Sequence, residues 1–230
     1  MSGRLLIVAS ESREFGGLLP HIEDMARVSS AVRWTREGRW HGSPVTLIAN
    51  GVGQTQAAAA IRAFPDPAAI INIGFCGALD NGLNIGDVIV ADKVFFSSLR
   101  FDCQQVSTSA KYISGPIYSS TRIVATADEK RQLRGSGALA VEMEAGGLAG
   151  YAKERHVPFF CVRAVSDLAN ESFVNDFNAA LGADGQYRIG RLIWAAMLRP
   201  HSRVPELVRL KKRCDIAAER LGEFLDSCSF

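Results

Sequence analysis

Six short runs of β-branched and apolar residues, with helical stretches between them, restrict the fold of this chain more than any other feature. They are Leu5 to Ala9, Val45 to Ala49, Ala69 to Ile73, Val88 to Ala91, Ala138 to Val141 and Phe159 to Val165. Several lack the in/out alternation of a strand with one wet face, so they read as strands covered on both sides. The helical stretches are Gln54 to Phe64, stopping before Pro65, then Ala127 to Leu133, Met143 to Arg155, Asn175 to Leu198 and Pro205 to Leu225. Strands alternating with helices imply an α/β protein with a mixed, mainly parallel sheet. At 230 residues, with no repeat, low-complexity tract or linker, one domain spanning 1–230 is expected.

Bulk properties exclude several classes. A formal net charge of +2 gives no reason to expect a nucleic-acid partner. The five cysteines show no CxxC spacing and read as reduced residues of a cytosolic protein. The four histidines stand apart from one another and from the cysteines, so no metal site is expected. Arg4 to Ala9 is too short for a signal segment and reads as the first strand, and no apolar run reaches the length of a membrane span. The last helix sets Leu207, Leu210, Cys214, Ala217, Leu221, Phe224 and Leu225 on one face, with Arg209, Lys211, Lys212 and Arg213 largely elsewhere. Such a helix can lie on a membrane. A terminal helix packing its apolar stripe on the core is the preferred reading, and a membrane partner is not expected.

Chemistry concentrates in two segments, Val141-Glu142-Met143-Glu144-Ala145 and Arg163-Ala164-Val165-Ser166-Asp167. Their acids fall where a helix begins and where a buried strand ends, the places where α/β enzymes present side chains to ligands. A carboxyl at the end of an apolar strand is costly to desolvate, and a structural role rarely requires one. The competing reading of Ser166 and Asp167 is a helix N-cap, and Glu142 is read as structural. Two glycine turns, Gly51-Val52-Gly53 and Gly74-Phe75-Cys76-Gly77, follow strands and so belong on the same edge. Their N–H groups suit electron-rich oxygens, but neither turn matches a dinucleotide or phosphate-loop fingerprint.

Together with Ile71-Asn72-Ile73-Gly74, Gly77-Ala78-Leu79, Ile85 to Val90 and Val157-Pro158-Phe159, these motifs resemble the nucleoside phosphorylase and nucleosidase superfamily. Within it, the chain is most similar to the methylthioadenosine/S-adenosylhomocysteine nucleosidases over roughly residues 4 to 180. The region of Arg199-Pro200 and Leu207 to Leu210 looks more like hopanoid-associated phosphorylases, a cousin group.

The resemblance implies a three-layer α/β/α fold with a mixed central sheet, a cytoplasmic homodimer, and cleavage of the N-glycosidic bond of a purine nucleoside without metal or cofactor. Asp167 would act as general acid at the purine, oriented by Ser166. Burial and the negative field of Glu144 would favour its protonated form. Glu144, expected to stay ionised, would hold the ribose hydroxyls, with Met143 packed on the sugar. Phe177 would close over the nucleoside. Ile123 stands in the purine pocket where the family has an aromatic, and Gly74, Phe75 and Cys76 would shape the site. The base that activates water is Glu14, with Glu11 as the alternative. The phosphorylase branch reads phosphate with an arginine just before the glycine segment. Here Ile71-Asn72 stands instead, which favours water, although Arg13 or Arg122 could approach from elsewhere. The alternative activity is phosphorolysis of a related, lipid-linked adenine nucleoside.

Overall fold

The computed structural model describes residues 3–230; residues 1 and 2 of the expected domain lie outside it. The strands are β1 (Leu5–Ala9), β2 (Glu23–Arg27), β3 (Trp34–Trp40), β4 (Ser43–Ala49), β5 (Ala69–Ala78), β6 (Val88–Phe96), β7 (Leu99–Asp102), β8 (Ile113–Ser119), β9 (Ala140–Glu142) and β10 (Phe159–Asp167). The helices are α1 (Gln54–Arg62), α2 (Ala127–Arg134), α3 (Ala145–Arg155), α4 (Phe177–Ala180), α5 (Ile189–Leu198) and α6 (Pro200–Asp226).

All ten strands form one mixed sheet. It is parallel across β4, β1, β5 and β10, and antiparallel where β2, β3 and β7 join. Part of it closes on itself, since β5 pairs with β10 and β9, β10 with β6, β6 with β8, and β8 with β9. Alternate residues of each central strand feed two cores. Leu6 and Val8 pack with Ala57, Ile61 and Leu148 on the α1/α3 side, while Ile7 and Ala9 pack with Ala217, Leu221 and Phe224 of α6. Covering on both faces is why these strands show no alternation. The expected α/β/α layering is present.

Four strands were not legible in the sequence, and three of them, β2, β3 and β7, pair antiparallel, so the sheet is less parallel than expected; the fourth, β8, pairs parallel with β6 and β9. β2 is exposed throughout, β3 is mostly polar, β7 spans four residues, and β8 contains Gly115 and Pro116. The long helix expected over Asn175 to Leu198 is broken. A turn with Gly185 at φ +71° and a bridge between Leu181 and Tyr187 separate α4 from α5.

Candidate active site

Both glycine turns and both acidic motifs converge on one cavity of about 360 Å³. That is the scale of a small-molecule site. Two carboxyls reach it past β5, and the glycines of that strand make their approach possible. A Cβ at Gly74 would lie 2.7 Å from Glu14 Oε1, and one at Gly77 would lie 2.7 Å from Asp167 Oδ2. Three residues of extended chain separate these two points by about 10 Å. The segment is therefore less a cradle for a ligand than a groove that admits side chains. Gly74 itself does not line the cavity, a correction to its expected contact with the ligand, because Glu14 and Arg163 cover it. Phe75 and Cys76 do line it.

Asp167 owes its direction to a bulge. Val165 pairs with Cys76 and Asp167 with Gly77, leaving Ser166 as an extra residue in β10. Such an insertion breaks strand alternation and re-aims the next side chain. Ser166 Oγ lies 2.9 Å from Asp167 Oδ1, to which it donates. Oδ2 accepts from Lys130 Nζ at 2.5 Å, and the same ammonium donates to Leu168 O at 2.6 Å. Lys130 is 1% exposed. Sequence reading missed this partner: one lysine in a short polar helix gives no sign of pointing inward.

Glu14 is fixed as firmly. Its Oε2 accepts from Ser10 N (2.7 Å), Ser10 Oγ (2.8 Å) and Glu11 N (2.9 Å), and its Oε1 accepts from Phe75 N (3.0 Å). Glu11 also lines the cavity but is tied to Arg13 at 2.6 Å.

Glu144 sits on the turn just before α3, which begins at Ala145 rather than at Met143 as expected. Its Oε1 accepts from Gly53 N at 2.9 Å, so the oxygen met by the Gly51–Gly53 turn belongs to a side chain of the protein. Burial, then the charge of Glu142, pushes the Glu144 carboxyl up to about 8 against the pull of Arg163. Its surroundings therefore favour the protonated form, against the ionised state expected. Glu142 faces away from solvent. It accepts from Glu144 N and Ala145 N, each at 2.8 Å, and from Arg163. Arg163 is fully buried and also donates to Asn72 Oδ1. Burial opposes its charge, but Glu142 and the neighbouring acids outweigh that and keep the guanidinium protonated. A charged residue inside the apolar run Phe159 to Val165 was the available clue to this buried pair.

Met143, Ile123 and Phe177 all line the cavity, and Phe177 packs edge-on to Phe173 at 5.0 Å. Ile123 N donates to Asn178 Oδ1 and Ile123 O accepts from Asn178 Nδ2, both at 2.9 Å, which ties this wall to α4. Tyr187, Ile189, Leu192, Leu207 and Leu210 complete an apolar wall that sequence reading did not assign.

A family model described as the phosphorylase superfamily matches residues 4–106 and 98–195. This chain belongs to that superfamily. Among similar proteins, a methylthioadenosine/S-adenosylhomocysteine nucleosidase of Staphylococcus haemolyticus is 29% identical over 209 residues, covering 76% of this chain and 91% of the relative. One from Staphylococcus aureus is 31% identical over 172 residues, covering 60% and 74%. Solved structures with the same fold include the S. pneumoniae nucleosidase bound to a transition-state inhibitor, with TM-score 0.74, 20% identity and 97% of each chain covered. The Streptococcus pyogenes enzyme gives TM-score 0.75 and 22% identity, covering 98% of this chain and 95% of that one.

Proposed function

We propose that this protein hydrolyses the N-glycosidic bond of an adenine nucleoside of the methylthioadenosine or S-adenosylhomocysteine type, as its named relatives do. The observation that carries the reading is the convergence of Asp167, Glu144 and Glu14 on one cavity. Cleavage sends the bonding electron pair onto the base and leaves positive charge on the sugar. Asp167 delivers a proton to the leaving purine, worth a factor of about 100 to 10,000. Lys130, donating to the oxygen that Ser166 does not engage, keeps a proton within one transfer of that acid. Glu14, held by four donors, takes the proton of the attacking water. Glu144 holds the ribose hydroxyls with Met143 against the sugar. Phe177, Ile123, Phe75 and Cys76 shape the space for the base and its 5′ substituent.

Water is favoured over phosphate by charge. Each cation lining the cavity already has a carboxylate: Arg13 with Glu11, Arg122 with Glu129 at 2.6 Å, and Lys211 with Asp215 at 2.8 Å. Ile71-Asn72 stands where the resemblance would place an arginine in a phosphorylase, and Asn72 is buried and donates to Val8 O. A phosphate dianion would meet no unengaged cation in this lining. We further propose a cytoplasmic homodimer, which light scattering would check. The assay is release of free base from methylthioadenosine and adenosylhomocysteine. A strict requirement for phosphate, with ribose 1-phosphate as product, would replace hydrolysis by phosphorolysis.

A further inference from the structure

α5 and α6 do more than wall the cavity. Beyond Ile189, Leu192, Leu207 and Leu210, which line it, the two helices turn a second apolar surface outward. Ile193, Trp194, Met197 and Leu198 are each more than half exposed, and Val208 is 64% exposed. Ile193 and Met197 stand four residues apart, as do Trp194 and Leu198, so they form adjacent rows on one side of α5. With Leu192 and Ala196 buried on the other side, α5 is apolar nearly all round. Exposed patches of this kind mark interaction surfaces.

Charge identifies what covers it. Residues 188–213 hold eight Lys and Arg against one Glu, in a chain whose net charge is only +2. That acid, Glu206, is buried and spent on Val174 N, Asn175 N and the Asn175 amide. Arg188, Lys211 and Arg213 have carboxylate partners. Among the described residues, Arg191, Arg199, Arg209 and Lys212 form no ion pair with a carboxylate. A second copy docked here about a two-fold axis would set these cations against themselves. An anionic lipid surface satisfies both features: headgroup phosphates take the cations, and the acyl boundary takes the apolar rows, with indole at the interface. No helix among the described residues is long and apolar enough to cross a membrane, so the contact is with its surface.

We propose that the α5–α6 hairpin docks this protein on the surface of an anionic lipid bilayer. This reverses the sequence expectation, which weighed only the final helix. The apolar stripe of that helix is indeed turned inward; the exposed apolar rows lie on α5 instead. The docking does not depend on the reaction assigned to the cavity.

The experiment is co-sedimentation of the full chain with phosphatidylcholine vesicles, with and without phosphatidylglycerol, at low and high salt. Binding is expected only with the anionic lipid, falling as salt rises. Trp194→Ser with Met197→Ser, and separately Arg199→Gln with Arg209→Gln and Lys212→Gln, are each expected to lower partitioning by about tenfold or more. Circular dichroism and thermal midpoints establish that the variants are folded. Light scattering without vesicles tests for a second copy. The proposal is overturned by absence of binding, by equal binding to neutral and anionic vesicles, or by binding that neither variant set reduces. It is also overturned if the Trp194/Met197 variant merely converts a dimer to monomer while the unaltered chain ignores vesicles.

Discussion

Asp167 is held between a hydroxyl that orients it and an ammonium that donates to it, and the two should separate on mutation. Asp167→Asn is expected to lower kcat by about 100-fold or more while changing the affinity for a nucleoside analogue much less. Unchanged turnover would remove Asp167 from the chemistry. Lys130→Met leaves that carboxyl buried without its partner, so a stability loss of about 3–5 kcal/mol is expected in denaturant melts. Lys130→Met should also move the pH dependence of kcat, and Lys130→Arg should restore part of it; a role in packing alone would change only the melts. Glu144 makes a prediction with a definite sign. Its carboxyl lies near 8 in the folded chain against an ordinary 4.5, so the folded state binds more protons between these values. Stability from this group is fully present below about 4.5 and is lost as pH rises through 8. Glu144→Gln should therefore gain thermal midpoint relative to the parent as pH goes from acid to 8, and a constant difference would contradict the shift. At this scale the sequence displayed the acids plainly, because strand ends and helix starts are where buried carboxyls need a reason. It hid Lys130, since a buried lysine and a solvated one look alike in a polar helix.

Elements decide where those residues point. The bulge at Ser166 and the missing Cβ of Gly77 act on the same carboxyl from two strands. Gly77→Ala needs no unusual backbone angle, yet its new methyl would press on Asp167 Oδ2. A fall in kcat of about tenfold or more is expected with a stability loss of about 1–3 kcal/mol, measured by steady-state kinetics beside thermal melts. If turnover is intact, the groove reading of β5 fails. The glycines were visible in the sequence, but their purpose was not, because a glycine that bends a chain and one that makes room for a neighbour look the same. Buried strands were legible from unbroken apolar runs. β2, β3, β7 and β8 were not, since exposed, short or proline-containing strands depend on neighbours rather than on their own pattern.

For the whole molecule, what matters is how charge is distributed. Glu14, Glu144 and Asp167 line the cavity while its cations are spoken for, and four basic residues without a carboxylate partner among the described residues, Arg191, Arg199, Arg209 and Lys212, stand on the α5–α6 hairpin. Composition reported only the near-zero sum and so concealed both fields. The arrangement makes the site suited to a neutral nucleoside and to water, and unsuited to phosphate. The most direct test is to incubate methylthioadenosine with the purified protein, with and without inorganic phosphate, and to quantify adenine and the sugar product by chromatography. Adenine and free methylthioribose forming at the same rate in both buffers, and lost with Glu14→Gln, is the predicted result. Absence of base release, or release only when phosphate is present, would contradict it.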